Sequence, residues 1–382
     1  MMFVVVVISL GYALLLLSLA MPALTYQPHP TSRKKNVGSA PIKFTIIITY
    51  RNEAAVLPRL LGSIAQVDYP ADCSQWILVN DASEDNSAKI ISDFKETYKH
   101  LNLKMLDRIP QSNSGKKDAI TQALDQALYD NIITTDADCQ LPNHWLKAYN
   151  QHYQQYADAQ FIAAPVIIES DDLLTQLQAS EMLSLQAISI GAFSYRQPFL
   201  SNGANMSFLK EAFYQVDGYA GNNQISSGDD IFLLEKLAAE DVIQCHYLKS
   251  DDAIVTTLPK RSLNGIIRQR VRWSKKGSKT KSMLNKLVSF QVLAMSLLWI
   301  VAPLLYLVEV ITLDLWLIVW ILKFFTDAIV LLIGSTALNQ SGLNSWFLIN
   351  HLGYPFIVIA IAFKSITAKV IWNDRVIDRQ IS

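Results

Sequence analysis

Four long apolar runs separate one extended polar stretch from the rest of the chain. The runs are residues 2–21, 287–308, 315–334 and 345–363. They contain only two charged residues, Lys323 and Asp327, which are four positions apart and are expected to pair on one helix face. Each run has about the ~20 residues that a helix needs to cross a hydrocarbon core. The pattern predicts a polar domain attached to a membrane.

The polar stretch, at about residues 37–282, alternates short β-branched runs with amphipathic ones. Predicted strands cover residues 43–50, 76–80, 101–106 and 131–135. Predicted helices cover residues 51–64 and 116–128, with Ser83 as a candidate cap for a helix after the second strand. Strands and helices that alternate over short connections indicate a mostly parallel central sheet with helices on both faces. The predicted fold class is α/β.

Polar clusters follow three of the predicted strands: "TYRNE" at 49–53, "NDASED" at 80–85 and "TTDADC" at 134–139. In a parallel sheet these clusters share one edge, where ligands bind near the reversal of strand order. The glycine-rich phosphate loops of nucleotide sites do not occur in the sequence. A diphosphate would then need a divalent cation, which carboxylates hold. Asp136 and Asp138 are therefore predicted metal ligands, and a solvated turn is the alternative.

Six motifs in chain order carry a resemblance to a known family. They are "TYRNEA", "VNDASEDNS", "SGKKDAI", "DAD", "SGDD" (227–230) and "QRVRW" (269–273). Together they resemble the membrane-bound family-2 glycosyltransferases with the GT-A fold, in the branch of the cellulose, hyaluronan and poly-N-acetylglucosamine synthases. The resemblance covers about residues 43–276. It implies a nucleotide-diphospho-sugar transferase domain, plus transmembrane helices.

The resemblance implies a nucleotide site built from the first four motifs. Tyr50 and Glu53 would contact the base and ribose, and Asp81 would accept the imide N–H of a uracil. Lys116 would meet the diphosphate as a point charge, and Asp136 would serve both the nucleotide and a Mg²⁺ or Mn²⁺ ion.

Each of these residues also has a plain structural alternative. Tyr50 could be a core aromatic, Asp81 a turn residue or helix cap, and Glu53 a helix N-terminal acid. The neighbouring Lys117, at a predicted helix start, is expected to be solvated.

The resemblance places the catalytic base in "SGDD". Transfer to an alcohol needs a base that takes the hydroxyl proton as the bond forms. By position, Asp230 is the predicted base and Asp229 a positioning neighbour. A pair that caps the following helix is the alternative, and it is compatible with catalysis.

The last motif and a glycine turn are predicted to serve the acceptor and the diphosphate. Gln269 and Arg272 lie one turn apart on a predicted helix that begins near Leu263, and an arginine there can hold a diphosphate bidentately. Trp273 offers a flat surface for a pyranose or a membrane interface. Gly203, in "SNGANMSF", would admit backbone close to a sugar, or be a plain turn.

Charge and cysteine patterns bear on the compartment. Lys+Arg and Asp+Glu are 33 each, which argues against a nucleic-acid partner. Basic residues follow the first run (Arg33, Lys34, Lys35) and precede the second (Lys275, Lys276, Lys279, Lys281, Lys286), which predicts a cytoplasmic catalytic domain in a multi-pass protein of the cell membrane. Cys73, Cys139 and Cys245 show no disulfide or zinc spacing, as suits a reducing compartment.

The same charge rule leaves the C-terminal topology open. Lys364, Lys369 and Arg375 favour an inside C-terminus, which four simple spans would not give. Residues 345–363 are therefore a candidate interfacial or re-entrant segment.

The sequence therefore predicts an anchor and linker at 1–36, a GT-A domain at 37–282 and a transmembrane or interfacial region at 283–382. The predicted activity is an inverting, metal-dependent transfer of a sugar from a UDP-sugar to a saccharide or lipid-linked acceptor. Processive synthesis of a polymer is one form that this activity could take. A single addition to a polyprenyl phosphate or glycerolipid is the first alternative. A degenerate transferase acting as an assembly protein is the second, but the expected acids are all present.

Overall fold

The computed structural model describes residues 2–28, 40–225, 227–342 and 346–367, with the backbone of 371–372 and 375–376. The predicted inside-facing residues Arg33, Lys34, Lys35 and Lys369 lie outside the described residues. The chain forms two compact units. The first, here the helix unit, comprises Met1–Tyr26, Ile168–Phe199 and Pro259–Val370, and the second, the sheet unit, comprises Gln27–Ile167, Leu200–Leu258 and Ile371–Ser382.

This division differs from the single range 37–282 expected for the catalytic domain. Residues 168–199 and 259–282 belong to the helix unit, because each contains a helix that packs with the long apolar helices. The sequence pattern gave no separate prediction for the first of these segments.

The elements are numbered in chain order across both units. The strands are β1 Phe44–Tyr50, β2 Ser74–Asn80, β3 Asn102–Asp107, β4 Asn131–Asp136, β5 Cys139–Gln140, β6 Phe161–Ala163, β7 Val166–Ile168, β8 Met206–Leu209, β9 Cys245–Tyr247, β10 Val255–Thr257, β11 Ile371–Trp372 and β12 Arg375–Val376. The helices are α1 Met2–Ala20, α2 Leu57–Gln66, α3 Ser87–Thr97, α4 Gly115–Leu124, α5 Trp145–Gln155, α6 Leu173–Ser194, α7 Lys210–Gln215, α8 Ile231–Asp241, α9 Leu263–Ser278, α10 Met283–Leu307, α11 Leu313–Ala337 and α12 Phe347–Thr367.

The sheet unit is built on a seven-stranded sheet in the order β3-β2-β1-β4-β8-β6-β9. β1 pairs in parallel with both β2 and β4, whereas β8 is antiparallel to both β4 and β6. The predicted α/β class and mostly parallel sheet are confirmed. From β1 the chain proceeds outward through β2 and β3, then returns to β4 on the other side of β1, so strand order reverses between β1 and β4.

The core of the sheet unit follows from continuous apolar strands. β1 reads FTIIITY and is buried along nearly its whole length, as expected for a strand covered on both faces. Trp76 from β2 stacks on Trp145 from α5 at 6.5 Å between ring centroids, and α2 adds Leu60 and Leu61 to the same cluster. A rigid, buried centre therefore fixes where the strand ends lie.

The predicted cap at Ser83 is wrong. The helix after β2, α3, begins at Ser87, and its N-terminal neighbour is Asn86. Ser83 instead accepts a hydrogen bond from the backbone N–H of Asn52 at 3.1 Å, which ties the loop after β2 to the loop after β1.

Among the residues that the structure describes, the helix unit contains four helices long and apolar enough to cross a membrane: Met2–Leu24, Met283–Leu307, Leu313–Ala337 and Phe347–Thr367. The last is one continuous helix, and the interfacial or re-entrant position of residues 345–363 stays a prediction. The predicted pair is confirmed, because Lys323 Nζ lies 2.5 Å from Asp327 Oδ2.

Two glycines bring helix backbones of this unit together. A Cβ at Gly191 of α6 would lie 1.5 Å from the carbonyl oxygen of Leu19, and one at Gly334 of α11 would lie 2.2 Å from that of Leu183. Small residues of this kind favour the association of helices in a membrane, because they let the backbones approach closely. Lipid tails are themselves apolar, so the hydrophobic effect does not drive this association. Each position can hold only a glycine without a shift of a helix backbone.

Candidate active site

The carboxyl ends of β1 and β4 form the centre of the candidate site. Thr49 of β1 pairs with Asp136 of β4, so the clusters after the two strands begin side by side. Strand order reverses between these strands, and such reversals open a crevice for a ligand. The sheet therefore brings together the "TYRNE" and "TTDADC" clusters, as the sequence predicted.

Lys116, in the first turn of α4, joins two acids that are far apart in sequence. Its Nζ lies 2.7 Å from Asp136 Oδ1 and 2.9 Å from Asp229 Oδ2. Burial alone would lower the pKa of Lys116, but the two carboxylates outweigh burial and hold that pKa above its ordinary value. The side chain therefore carries a positive charge between Asp136, at the end of β4, and Asp229 of the "SGDD" motif.

Gly203 packs directly on this ion pair. A Cβ at this position would lie 2.4 Å from Asp229 Oδ2 and 2.8 Å from Lys116 Nζ. Its carbonyl accepts a hydrogen bond from the hydroxyl of Thr134 at 2.9 Å. The glycine is needed for close approach to charged side chains, and its contact with an acceptor sugar stays a prediction.

Asn205 fixes the loop that carries Gly203, and the sequence analysis missed it. Its Oδ1 accepts from Trp145 Nε1 and from the Tyr149 hydroxyl, each at 3.0 Å. Its Nδ2 donates to the carbonyls of Pro165 and Ala253, each at 2.7 Å. With all four hydrogen bonds made in a fully buried position, the amide holds the loop rigidly.

Asp81 lies at the start of the second cluster, beneath the N-terminus of α4. Its Oδ1 accepts from Arg108 Nε at 2.6 Å, and Arg108 also pairs with Asp118 at 3.0 Å. A Cβ at Gly115 would lie 2.3 Å from Asp81 Oδ2. The sequence analysis missed Arg108, although its place just after β3 puts it at the same edge as the other clusters.

The remaining predicted nucleotide residues divide between core and loop. Tyr50 is buried in the core cluster, and burial, with weaker contributions from Asp107 and Asp85, raises the pKa of its phenol to about 12. This environment matches the alternative of a core aromatic. Glu53 lies in the loop after β1, where its backbone N–H donates to the Ser87 hydroxyl at 2.9 Å.

The expectation that Lys117 is solvated is wrong. Its side chain is 1% exposed, donates to the carbonyls of Asn222 and Ile225, and lies 4.8 Å from the centre of the Phe232 ring. Lys117 therefore anchors the segment that precedes "SGDD". Lys116, at the preceding position, faces Asp136 and Asp229.

Asp136 and Asp138 are the predicted ligands of a cation. Across the part of the chain that the structure describes, no group of three or more His, Cys, Asp or Glu side chains could hold a metal by itself. Mg²⁺ in nucleotide sites takes one or two carboxylates and completes its shell with phosphate oxygens and water. A pair of aspartates at the carboxyl end of β4 fits that donor set, and a metal there would depend on the nucleotide.

Asp229 and Asp230 are both buried but lie in different surroundings. Asp229 pairs with Lys116, whereas Asp230 is the N-cap of α8 and accepts from the backbone N–H of Ile231 at 2.7 Å. Asp230 thus has the capping role that the sequence offered as an alternative compatible with catalysis, while Asp229 pairs with Lys116. The role of Asp230 as the base stays a prediction.

The motif Gln269, Arg272 and Trp273 lies on α9 of the helix unit, and the predicted helix from Leu263 is confirmed. Within this motif Arg270, which the sequence analysis did not select, is buried. It pairs with Glu181 of α6 at 2.6 Å, and its guanidinium lies 4.2 Å from the centre of the Trp273 ring. One face of Trp273 is therefore in contact with a cation of its own helix.

Comparisons with known proteins bear on the family and the fold of the chain. Residues 45–217 match the family model described as Glycosyl transferase family 2. A poly-β-1,6-N-acetyl-D-glucosamine synthase from Staphylococcus epidermidis is 26% identical over 284 residues, which cover 69% of this chain and 64% of that protein. The synthase of the same name from Staphylococcus aureus strain COL is also 26% identical, with the same coverage.

The chain thus aligns with less than two thirds of the length of these relatives. Among solved structures, the mannosyltransferase PcManGT from Pyrobaculum calidifontis, in complex with GDP-Man and Mn²⁺, superposes with a TM-score of 0.61. The match has 16% identity and covers 96% of this chain and 98% of that one. The likeness confirms the expected GT-A fold.

Proposed function

Because residues 45–217 match the family model described as Glycosyl transferase family 2, we propose that the chain transfers a sugar from a UDP-sugar to a saccharide or lipid-linked acceptor at a membrane. The observation that carries the proposal is the bridge of Lys116 between Asp136 and Asp229. It brings the acids for a cation and the motif for a base into one site, at the sheet edge where a nucleotide would bind.

On the donor side, the proposal assigns the uracil to Asp81 and the diphosphate to Lys116. The Asp81 carboxylate is held by Arg108 and by the packing of Gly115, so its orientation is fixed. A carboxylate fixed in this way selects a base that offers an imide N–H. Lys116, kept protonated by its two acids, provides the positive charge for a phosphate. Tyr50 supports this edge from the core, and Glu53 remains a proposed ribose contact.

Asp136 and Asp138 would hold a Mg²⁺ or Mn²⁺ ion together with the diphosphate. A bound cation supplies Lewis-acid stabilisation of the negative charge on the leaving group. The GDP-Man and Mn²⁺ in the structural relative support a metal–nucleotide pair on this fold. The task of the protein residues is to orient both carboxylates toward one point at the carboxyl end of β4.

The acceptor proton would pass to Asp230. The N–H of Ile231 fixes the direction of this carboxylate at the N-terminus of α8, as a general base requires. Asp229 would position the site through Lys116. One base acting on the acceptor hydroxyl is the arrangement of a single displacement, which inverts the anomeric carbon.

Gln269, Arg272 and Trp273 are proposed to serve the acceptor and the departing diphosphate, with Gly203 along the acceptor path. The names of the staphylococcal relatives support a saccharide acceptor and a polymeric product. The lysine-rich end of α9 supports a cytoplasmic position of the sheet unit.

The test is to incubate membranes that contain the full chain with radiolabelled UDP-sugars and to size the products. A labelled polymer or glycolipid from one UDP-sugar, lost in excess chelator, is the expected result. Membranes with the Asp138→Asn variant are the matched control for other transferases. If no UDP-sugar gives more product with the wild type than with this control, the proposal is wrong.

A further inference from the structure

The helix unit forms a partly open cavity of about 140 Å³ between α1, α6, α10, α11 and α12. Most of its wall is leucine, valine, isoleucine and phenylalanine, as in a site for an acyl chain. The polar part of the wall comprises Tyr12, Glu181, Asp327, Asn350, His351 and Tyr354, together with Ser180 and Ser184. An apolar chamber with convergent polar groups is typical of a small-molecule site. None of these residues belongs to the proposed catalytic site.

Both acids in the wall are already neutralised by cations behind them. Asp327 accepts from Lys323 at 2.5 Å, from His351 at 3.0 Å and from the Tyr12 hydroxyl at 2.6 Å. Each carboxylate of this kind offers about four lone-pair positions, so it can accept one more hydrogen bond.

Glu181 has a similar set of partners. It forms an ion pair with Arg270, whose Nη2 lies at 2.6 Å and whose Nε donates at 2.7 Å, and it accepts from the Tyr354 hydroxyl at 3.1 Å. The cavity wall thus presents two acceptors whose charge is balanced but whose hydrogen-bonding capacity is not used up.

Asn350 adds a donor that has no partner. Its side chain is buried, with 7% of the residue exposed, and its Nδ2 makes no hydrogen bond to any residue that the structure describes. A buried amide N–H without an acceptor is costly, so such groups mark the place of a bound molecule or water. This amide lines the cavity and requires an acceptor atom inside it.

The charges of the wall decide the class of ligand. The described lining contains no lysine or arginine, and the cations behind the wall, Lys323 and Arg270, are already paired with its two acids, so a phosphate there would lack a cation of its own. An alcohol fits both requirements, because its oxygen accepts from Asn350 while its O–H donates to a carboxylate. We propose that this cavity binds the free hydroxyl of an uncharged glycerolipid, with the acyl chains along the apolar wall.

The proposal concerns binding alone and does not depend on the transfer reaction. It is tested with the full chain in nanodiscs and two photoreactive probes, a diacylglycerol and the phosphatidic acid with the same acyl chains, each carrying a diazirine in one chain. Crosslinking to peptides of α6, α10 or α12 is measured by mass spectrometry. We expect the diacylglycerol to label these peptides at least about tenfold more than the phosphatidic acid. Equal labelling, or labelling of the lipid-facing surface only, overturns the proposal.

Competition separates the hydroxyl from the acyl chains. Unlabelled dioleoylglycerol should displace the probe, and its 3-O-methyl ether, which cannot donate, should need about ten times the concentration, the usual loss for one hydrogen bond to a charged group. Displacement by both at the same concentration would show that the polar wall does not recognise the hydroxyl.

Two neighbouring positions on α10 provide matched variants. Val292 lines the cavity, whereas Leu293 is exposed on the helix surface. Val292→Trp should remove most of the specific labelling and Leu293→Trp should leave it unchanged, with the thermal unfolding of both compared to confirm folding. Asn350→Leu should weaken dioleoylglycerol competition about tenfold. Full labelling of folded Val292→Trp would place the lipid elsewhere.

Discussion

The sheet unit and the helix unit both bury ionised side chains, but they arrange them in opposite ways. In the sheet unit one cation, Lys116, serves two acids at the end of a sheet. In the helix unit Asp327 and Glu181 have separate cations, Lys323 and Arg270. An edge open to water can exchange partners when a charged ligand arrives, whereas a charge among apolar helices needs a fixed counterion.

The largest loss of activity should follow from a substitution among the acids at the edge of the sheet, whose partners can exchange. Asp138→Asn is expected to reduce transfer below detection, because it removes a charged oxygen from the cation that carries the diphosphate. Transfer is measured with the radiolabelled UDP-sugar, and thermal unfolding should remain that of the wild type. Asp93→Asn, on the exposed surface of α3, is the control and should be fully active. Full turnover by Asp138→Asn, or by wild type in excess chelator, would exclude a metal at this edge.

Substitution of the two adjacent acids, Asp229 and Asp230, tests which of them is the base in the sheet unit. Asp230→Asn should leave UDP binding nearly intact and lower kcat by about 10²–10⁴, the range for loss of a general base. Asp229→Asn should have a smaller effect, because Lys116 keeps Asp136 as a partner. The two variants are compared by turnover at saturating donor and by UDP affinity. A reversed order of the two losses would assign the base to Asp229.

Substitution of a fixed ion pair in the helix unit should lower the free energy of unfolding. Lys323→Met leaves the partly buried Asp327 without its cation and is expected to destabilise the protein by up to about 3 kcal/mol, the lower end of the range for a broken buried pair. The double variant Lys323→Met, Asp327→Leu should recover much of this loss, because no charge remains buried. Reversible unfolding in detergent measures both. If Lys323→Met were neutral, this pair would be exchangeable like the acids of the sheet unit.

The smallest effect concerns a buried group of the sheet unit that lies away from its charged edge. Burial, followed by repulsion from His246, lowers the pKa of His152 to about 3. The unfolded chain, with an ordinary pKa near ~6.5, binds the proton first, so stability should fall as pH drops below about 6.5 and continue to fall toward 3. At pH 5.5 the loss relative to neutral pH is about 1.4 kcal/mol.

The measurement is the unfolding free energy of wild type and His152→Gln between pH 7.5 and 5.5. The variant should show less of the decrease, although it is less stable at neutral pH because the hydrogen bond to His246 changes. An identical pH slope in both proteins would show that His152 does not control acid sensitivity.

Local patterns were sufficient for much of the sheet unit. β1 to β4 and α4 were predicted because period and composition are local properties, and the Lys323–Asp327 pair because helical spacing is also local. The burial of Lys117 was not accessible in this way, because its carbonyl acceptors at Asn222 and Ile225 come about a hundred residues later. Its polar sequence neighbours gave no sign of a buried cation.

The residues of the candidate site likewise fall into two groups: those that a sequence motif selected and those that only long-range contacts identify. The order of motifs selected Asp136, Asp229 and Lys116, but only the fold reveals that one ammonium joins the two acids. Arg108 and Asn205 were missed because a single arginine or asparagine carries no pattern, and each acts by joining loops from distant parts of the chain. Long-range contacts of this kind require the three-dimensional structure.

The two glycines at helix crossings have a consequence for how this sequence can diverge. Gly191 and Gly334 face carbonyl oxygens of neighbouring helices, so even a methyl group would push those helices apart. Positions such as Leu297 and Phe325 face outward and need only remain apolar. Relatives of this chain can therefore exchange most residues of their apolar helices freely, and overall identity in that region will understate how closely the helices are packed. At these two positions the tolerance to substitution is set by the separation of the helix backbones.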